Sequence, residues 1–210
     1  MPRPWLVFIA LSFFAVSDWS VAEPTVAEDK TPQGNTVKNE KLRQELLDRM
    51  EKDQVVRRKL VKRKPDDATV QELTKVDREN TAWLQEVIER QGWPGQALVG
   101  EDGAHAAWIL VQHADLNPTF QKKCLELLTT AVKRNDASRQ DLAYLTDRVR
   151  VADKQKQVYG TQLRDLNGKL EPHPIDDEEH VDDRRKEAGL PPLAEYLKAA
   201  EAFYSPPKDE

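Results

Sequence analysis

Chemistry in this chain is concentrated in four short blocks between residues 93 and 162: Trp93-Pro94, Gln112-His113-Ala114-Asp115, Tyr144-Leu145-Thr146-Asp147-Arg148-Val149 and Gln157-Val158-Tyr159-Gly160-Thr161-Gln162. Three of them lie in or beside apolar helical stripes, so part of their polarity is expected to be buried. A buried polar atom without a partner costs on the order of 1–3 kcal/mol, so such blocks imply a network or a site. Trp108, Gln112 and Asp115 share one helical face by their i, i+4 and i, i+3 spacings. They read as the polar wall of a pocket floored by an indole, or as groups that fix the following loop. Tyr144 and Asp147 are also three apart, with Arg148 on the neighbouring face. Asp147 would serve as a general base and Arg148 as an anion clamp, or the two as an ion-pair anchor that needs no catalysis. In an extended segment Gln157, Tyr159 and Thr161 face one way, and Gly160 and Gln162 the other. Two amides, a phenol and a hydroxyl suit a polar ligand or a peptide strand, and equally suit stapling a hairpin to helices.

Other chemistries find little support. His105 and His113 share a predicted helix, but eight residues of rise separate them by about 12 Å, too far for one zinc ion. The acidic run Asp176 to Asp183 lacks the alternating ligands and central glycine of a calcium loop. There is no glycine-rich phosphate loop, Gly-x-Ser-x-Gly elbow or Ser-x-x-Lys pair. The lone Cys124 sits among Phe120, Leu127, Leu128 and Val132 and reads as a small buried apolar residue. No metal site and no cofactor is expected.

The elements that must position these blocks are mostly helical. Leu42, Leu46, Met50, Val56 and Leu60 mark an amphipathic helix over 38–62, and Lys64-Pro65-Asp66-Asp67 breaks it. Val70, Leu73, Leu84, Val87 and Ile88 mark a second over 69–90, closed by Gly92. Residues 93–100 read as a loop, and Asp102 as the cap of a short apolar helix over 103–114 that should be central. Asn117-Pro118 and Ser138 open two further helices. The block at 157–163 then reads as a strand, Asn167-Gly168 as a two-residue hairpin turn, and 169–175 as the return. Asp176 with Glu179 suggests a capping box for a helix ending at Gly189, and Pro191-Pro192 opens a last one. The fold class is therefore mainly α: a helical pair over 38–91, then a multi-helix domain over 92–204 with one small β-hairpin at 157–175.

Both ends read differently. Arg3, an apolar stretch from Trp5 to Val16 and Ser20-Val21-Ala22 form an export signal over 1–22, too short to span a bilayer. Residues 23–37 read as a disordered lead-in and 205–210 as a flexible tail. The signal holds one Arg and one Asp, so cleavage leaves the formal charge at −5. Charged residues make up 33% of the chain, with no basic tract, which argues against nucleic-acid binding. A periplasmic or secreted location is expected, with no membrane span after cleavage.

The blocks from Trp93 to Tyr159-Gly160-Thr161-Gln162, together with Pro174-Ile175, Arg184-Arg185 and Gly189-Leu190, resemble an uncharacterised bacterial family of unknown function in type, order and spacing. The resemblance implies a shared fold and no activity. From the residues, the first expectation is a noncatalytic binding module for a polar small molecule, a peptide or an envelope protein. Its face would be Gln112, Asp147, Tyr159 and Gln162. A small hydrolase-like enzyme using Asp147 or His113 as its acid–base group is the alternative, and a structural envelope component the third.

Overall fold

In a computed structural model, the chain is described over residues 37–62, 66–166 and 169–204. The predicted signal, most of the lead-in, the Asn167-Gly168 turn and the tail lie outside the described residues. Among the described residues, seven α-helices and one two-stranded sheet follow in order: α1 (Glu40–Lys62), α2 (Asp67–Gln91), α3 (Gln96–Gln112), α4 (Pro118–Lys133), α5 (Arg139–Ala152), β1 (Leu163–Leu166), β2 (Lys169–Pro172), α6 (Val181–Glu187) and α7 (Leu193–Tyr204). The molecule is mainly α, as its periodicities imply.

Helix α3 is the hub. Ala106, Ala107, Trp108, Ile109, Leu110 and Val111 are all buried, because the second half of α3 is enclosed by α1, α2, α4 and α5. The caps follow local chemistry. Asp66 accepts from the Thr69 amide at 2.7 Å, Asn117 from Phe120 at 3.1 Å and Ser138 from Asp141 at 3.3 Å. Cys124 is fully buried, and burial pushes its thiol up to about 12.

Three local expectations are corrected. The segment over 93–100 is not all loop: α3 already begins at Gln96, where Asp136 takes the Gln96 and Ala97 amides. The helical path is then interrupted at Gly100, whose φ of 76° suits glycine. Asp102 does not cap a fresh helix; it is forked by Arg43, tying α1 to α3. Asp176 and Glu179 form no capping box: a 3-10 turn over Glu178–His180 leads into α6 without a side-chain cap.

The block over 157–162 is not a strand either. The antiparallel ladder begins at Leu163↔Pro172, and before it only an isolated parallel bridge joins Gln157 to Ile175. Gly160 has φ 71°, and a Cβ there would meet Ile175 Cδ1 at 2.8 Å. The left-handed turn wraps the block into a compact loop against α5, and the alternating faces expected of it do not exist.

The C-terminal layer adds little apolar area of its own. Its clusters are small, Tyr196 with Ala200 and Ala188 with Leu190 against Ala143 of α5.

Candidate functional site

Asp147 projects from α5 into the 157–162 loop and is surrounded by donors. One oxygen accepts from the amides of Val158 at 2.7 Å and Tyr159 at 3.1 Å; the other accepts from the Thr161 amide at 2.9 Å and hydroxyl at 3.0 Å. Burial pushes the carboxyl above its ordinary value, and these donors act against that push. With its lone pairs so engaged, Asp147 is a poor general base. The loop is pinned from other sides too. Gln157, fully buried, donates to the carbonyls of Gln162 and His173 and accepts from the Gln162 amide at 2.7 Å. Tyr196 donates to the Thr161 carbonyl, and Arg185 to that of Tyr159.

Arg148 turns the other way. Its guanidinium forks onto both oxygens of Asp115, beyond the end of α3, and donates to Gln162 Oε1 at 3.1 Å. Gln121 also donates to Asp115, and the Asp115 side chain keeps 43% of its surface. Burial raises the Asp115 carboxyl, but Arg148 outweighs it and holds the group below the usual carboxylate range. Gln162 is likewise buried, donating to Thr161 Oγ1. Asp147, Arg148, Gln157, Thr161 and Gln162 are thus brought together as a closed network.

A second charged cluster lies where α1 and α2 meet the end of α3. His113 Nδ1 contacts Asp53 Oδ2 at 2.8 Å, and Arg57 reaches Asp53 at 3.1 Å and Asp77 at 2.5 Å. Burial would raise Asp53, yet His113 and Arg57 hold it down at about 2. An ionised Asp53 only accepts, so Nδ1 carries the hydrogen and Nε2 the lone pair. That Nε2 is buried and without a partner. Burial and Arg57 keep His113 below its ordinary value, favouring the neutral ring. Burial lifts Asp77 to about 7, the Arg57 contact acting against it. Gln112, beside His113, is fully buried with both amide atoms unpartnered, and Trp108 Nε1 is likewise unpartnered.

The third feature is open. A cleft of about 660 Å³ runs between α1, α3 and α5, with Met50, Ile109, Leu128 and Ala137 supplying apolar wall. His105 and Asp141 meet in its wall, His105 Nδ1 lying 3.2 Å from the carboxylate. Burial raises Asp141, His105 lowers it and Glu101 adds to the rise. The rings of His105, Trp108, Tyr144 and Tyr196 form a contiguous series with centroids 4.9, 5.8 and 6.3 Å apart. Among the described residues, no group of three or more His, Cys, Asp or Glu side chains is arranged to hold a metal ion, and no helix is long and apolar enough to cross a membrane.

A family model described as a family of unknown function, DUF6624, matches residues 40–206. The chain belongs to DUF6624. No curated protein and no solved structure matches it. The residues singled out from sequence fall into two parts of this DUF6624 domain, the closed network on α5, which also holds the half-buried Tyr159, and the orphaned polar groups of α3, with Tyr144 apart from both in the ring series between Trp108 and Tyr196. They do not line the cleft. Asp53, Gln54, Arg57 and Asp77, none singled out from sequence, supply the polar half of the second cluster. Their signal is an interrupted stripe. On α1 Asp53 and Arg57 stand on the same face as Leu42, Leu46, Met50, Val56 and Leu60, and on α2 Asp77 and Asn80 stand on the face of Leu73 and Leu84. Charged residues standing where a 3.6-residue period demands apolar ones mark buried polarity in a DUF6624 chain.

Proposed function

We propose that this chain is a noncatalytic binding module that takes a polar small molecule or peptide into the cleft beside His105 and Asp141. The observation that carries this is the contrast between the cleft and the Asp147 loop. The cleft has the volume and mixed lining of a ligand site, whereas the loop's polar groups are engaged with one another. The first 22 residues serve in this proposal as an export signal, giving a periplasmic or secreted module that meets small molecules, peptides or envelope proteins there.

The test is a thermal-shift screen of the purified protein against amino acids, short peptides and glycan fragments, since a ligand that binds the folded state raises its apparent stability by mass action. The expected result is a stabilising compound whose effect disappears in Ala137→Trp, which fills the cleft. A compound whose effect survives Ala137→Trp overturns the location. A second reading, an acid–base enzyme, is favoured by one observation: Asp53 fixes the His113 ring while leaving Nε2 partnerless. It requires turnover of an activated ester that is lost in His113→Gln; the binding reading expects the two proteins to behave alike.

A further inference from the structure

We infer that the cleft selects a cationic ligand, an ammonium or guanidinium head on a short apolar stem, with Gln54 among the groups that receive it. This rests on the proposal that the cleft is the binding site, and it adds the chemistry of what enters.

The inference begins at Gln54, which lines the cleft and is 9% exposed. Its Nε2 donates to Asp53 Oδ2 at 2.9 Å, the same oxygen that faces His113. Asp53, an ionised carboxylate, has no hydrogen to give, so the amide is oriented with nitrogen inward. Its Oε1 has no partner among the described residues and is left as an acceptor on the cleft side. Asp141 and Gln140 repeat this polarity, beside the donor-bearing Gln96, His105 and Ser138. Asp141 is buried and meets only the long, divided contact from His105, at 3.2 and 3.3 Å. Gln140 gives its Nε2 to the Gly189 carbonyl, which again leaves an oxygen. Glu101 faces no Lys or Arg among the described lining residues, and Asp102 at the rim is already forked by Arg43.

Among the described residues, no Lys or Arg lines the cleft. An anionic ligand would therefore meet Glu101 and Asp141 with no Lys or Arg to offset them. A donor-rich cation satisfies Gln54 Oε1 and the Asp141 carboxylate together, and Met50, Ile109 and Leu128 cover its stem. Such charge-assisted bonds are about twice as strong as neutral ones, so the head group should dominate selection. The same chemistry is offered by a free amine and by a lysine side chain.

The experiment is amide-resolved NMR titration of the purified protein with n-pentylammonium, 1-pentanol and pentanoate, three probes sharing one stem. Pentylammonium should shift the amides of Gln54, His105 and Asp141 and bind at least about tenfold tighter than either companion, the ratio expected when a charged hydrogen bond is gained. Asp141→Asn should remove that preference. Glu101→Gln, a substitution at an exposed position, should reduce it while leaving the fold untouched, which keeps the test alive if Asp141→Asn does not fold. A blocked Ala-Lys-Ala tripeptide separates the sources: binding as tight as pentylammonium identifies a peptide side chain, and exclusion identifies a free amine. Equal binding of all three probes at the cleft amides overturns the cation inference and leaves the cleft standing as the binding site. The absence of cleft shifts with every probe overturns both.

Discussion

Replacing Asp147 by asparagine changes one oxygen into a donor and leaves the shape of the side chain almost intact. The Val158 and Tyr159 amides can still be accepted by the remaining oxygen at distances near 2.7 and 3.1 Å. The new NH2 then faces the Thr161 amide, which now gives to Oδ2 at 2.9 Å, so donor meets donor. The Thr161 hydroxyl can rotate and accept, but the Thr161 amide, on a buried residue, is left without a partner. A lost bond to a charged acceptor is worth about 1.5–3 kcal/mol, and an orphaned donor costs a similar amount. Removing a buried charge returns part of this, since burial already raises the Asp147 carboxyl. The expected net loss is about 2–3 kcal/mol, or roughly 4–12 °C in Tm at about 2–4 °C per kcal/mol for a chain of this size. Urea unfolding followed by tryptophan fluorescence, parent beside variant, measures it. A loss below about 1 kcal/mol would refute the view that Asp147 holds the loop, and would reopen it as a binding residue.

Other outcomes follow from the same geometry. Gly160→Ala should cost about 1–3 kcal/mol in the same urea assay, because φ 71° strains any side chain and Ile175 stands in the way of the new methyl. Cys124→Ala should cost about 1 kcal/mol through lost packing, and a bulky thiol reagent should label the folded parent only as fast as it opens. Asp77 carries a pH signature. Its folded carboxyl near 7 lies above the unfolded value near 3.8, so the stability it contributes is complete below about pH 4 and is lost as pH rises towards 7. The stability of Asp77→Asn relative to the parent should therefore improve between pH 4 and pH 7.5; a constant difference would show that Arg57 keeps Asp77 ionised throughout.

Much of the fold was legible because its signals are local. Asn117 and Ser138 announce helix starts through side-chain bonds within three residues, and the stripe from Val70 to Ile88 needs only one period. The polar blocks around Asp147 and Gln162 were legible as buried polarity, since few reasons other than a network explain it. What could not be read was pairing across distance. Asp53 meets His113 sixty residues away, and Arg148 chooses Asp115 thirty-three residues away. The 157–162 loop reads as a strand because its extended-looking composition carries no mark of the donors it delivers to Asp147. The cleft has no signature in the sequence because its polar pair, His105 and Asp141, comes from two helices whose angle no local pattern encodes.

The seam between α5 and the C-terminal layer has a consequence for how this architecture tolerates change. Oily helix faces slip past one another by a fraction of a turn and repack, which is how bundles absorb substitutions. Here the seam is fastened by bonds that converge on single groups: the Asp147 carboxylate from α5, the Gln157 amide within the loop, and the Tyr159 and Thr161 carbonyls gripped by α6 and α7. Directional bonds of that kind admit one alignment and no neighbouring compromise. The α1–α4 bundle is free to exchange one apolar residue for another, while the C-terminal layer docks in a single register or comes away as a unit.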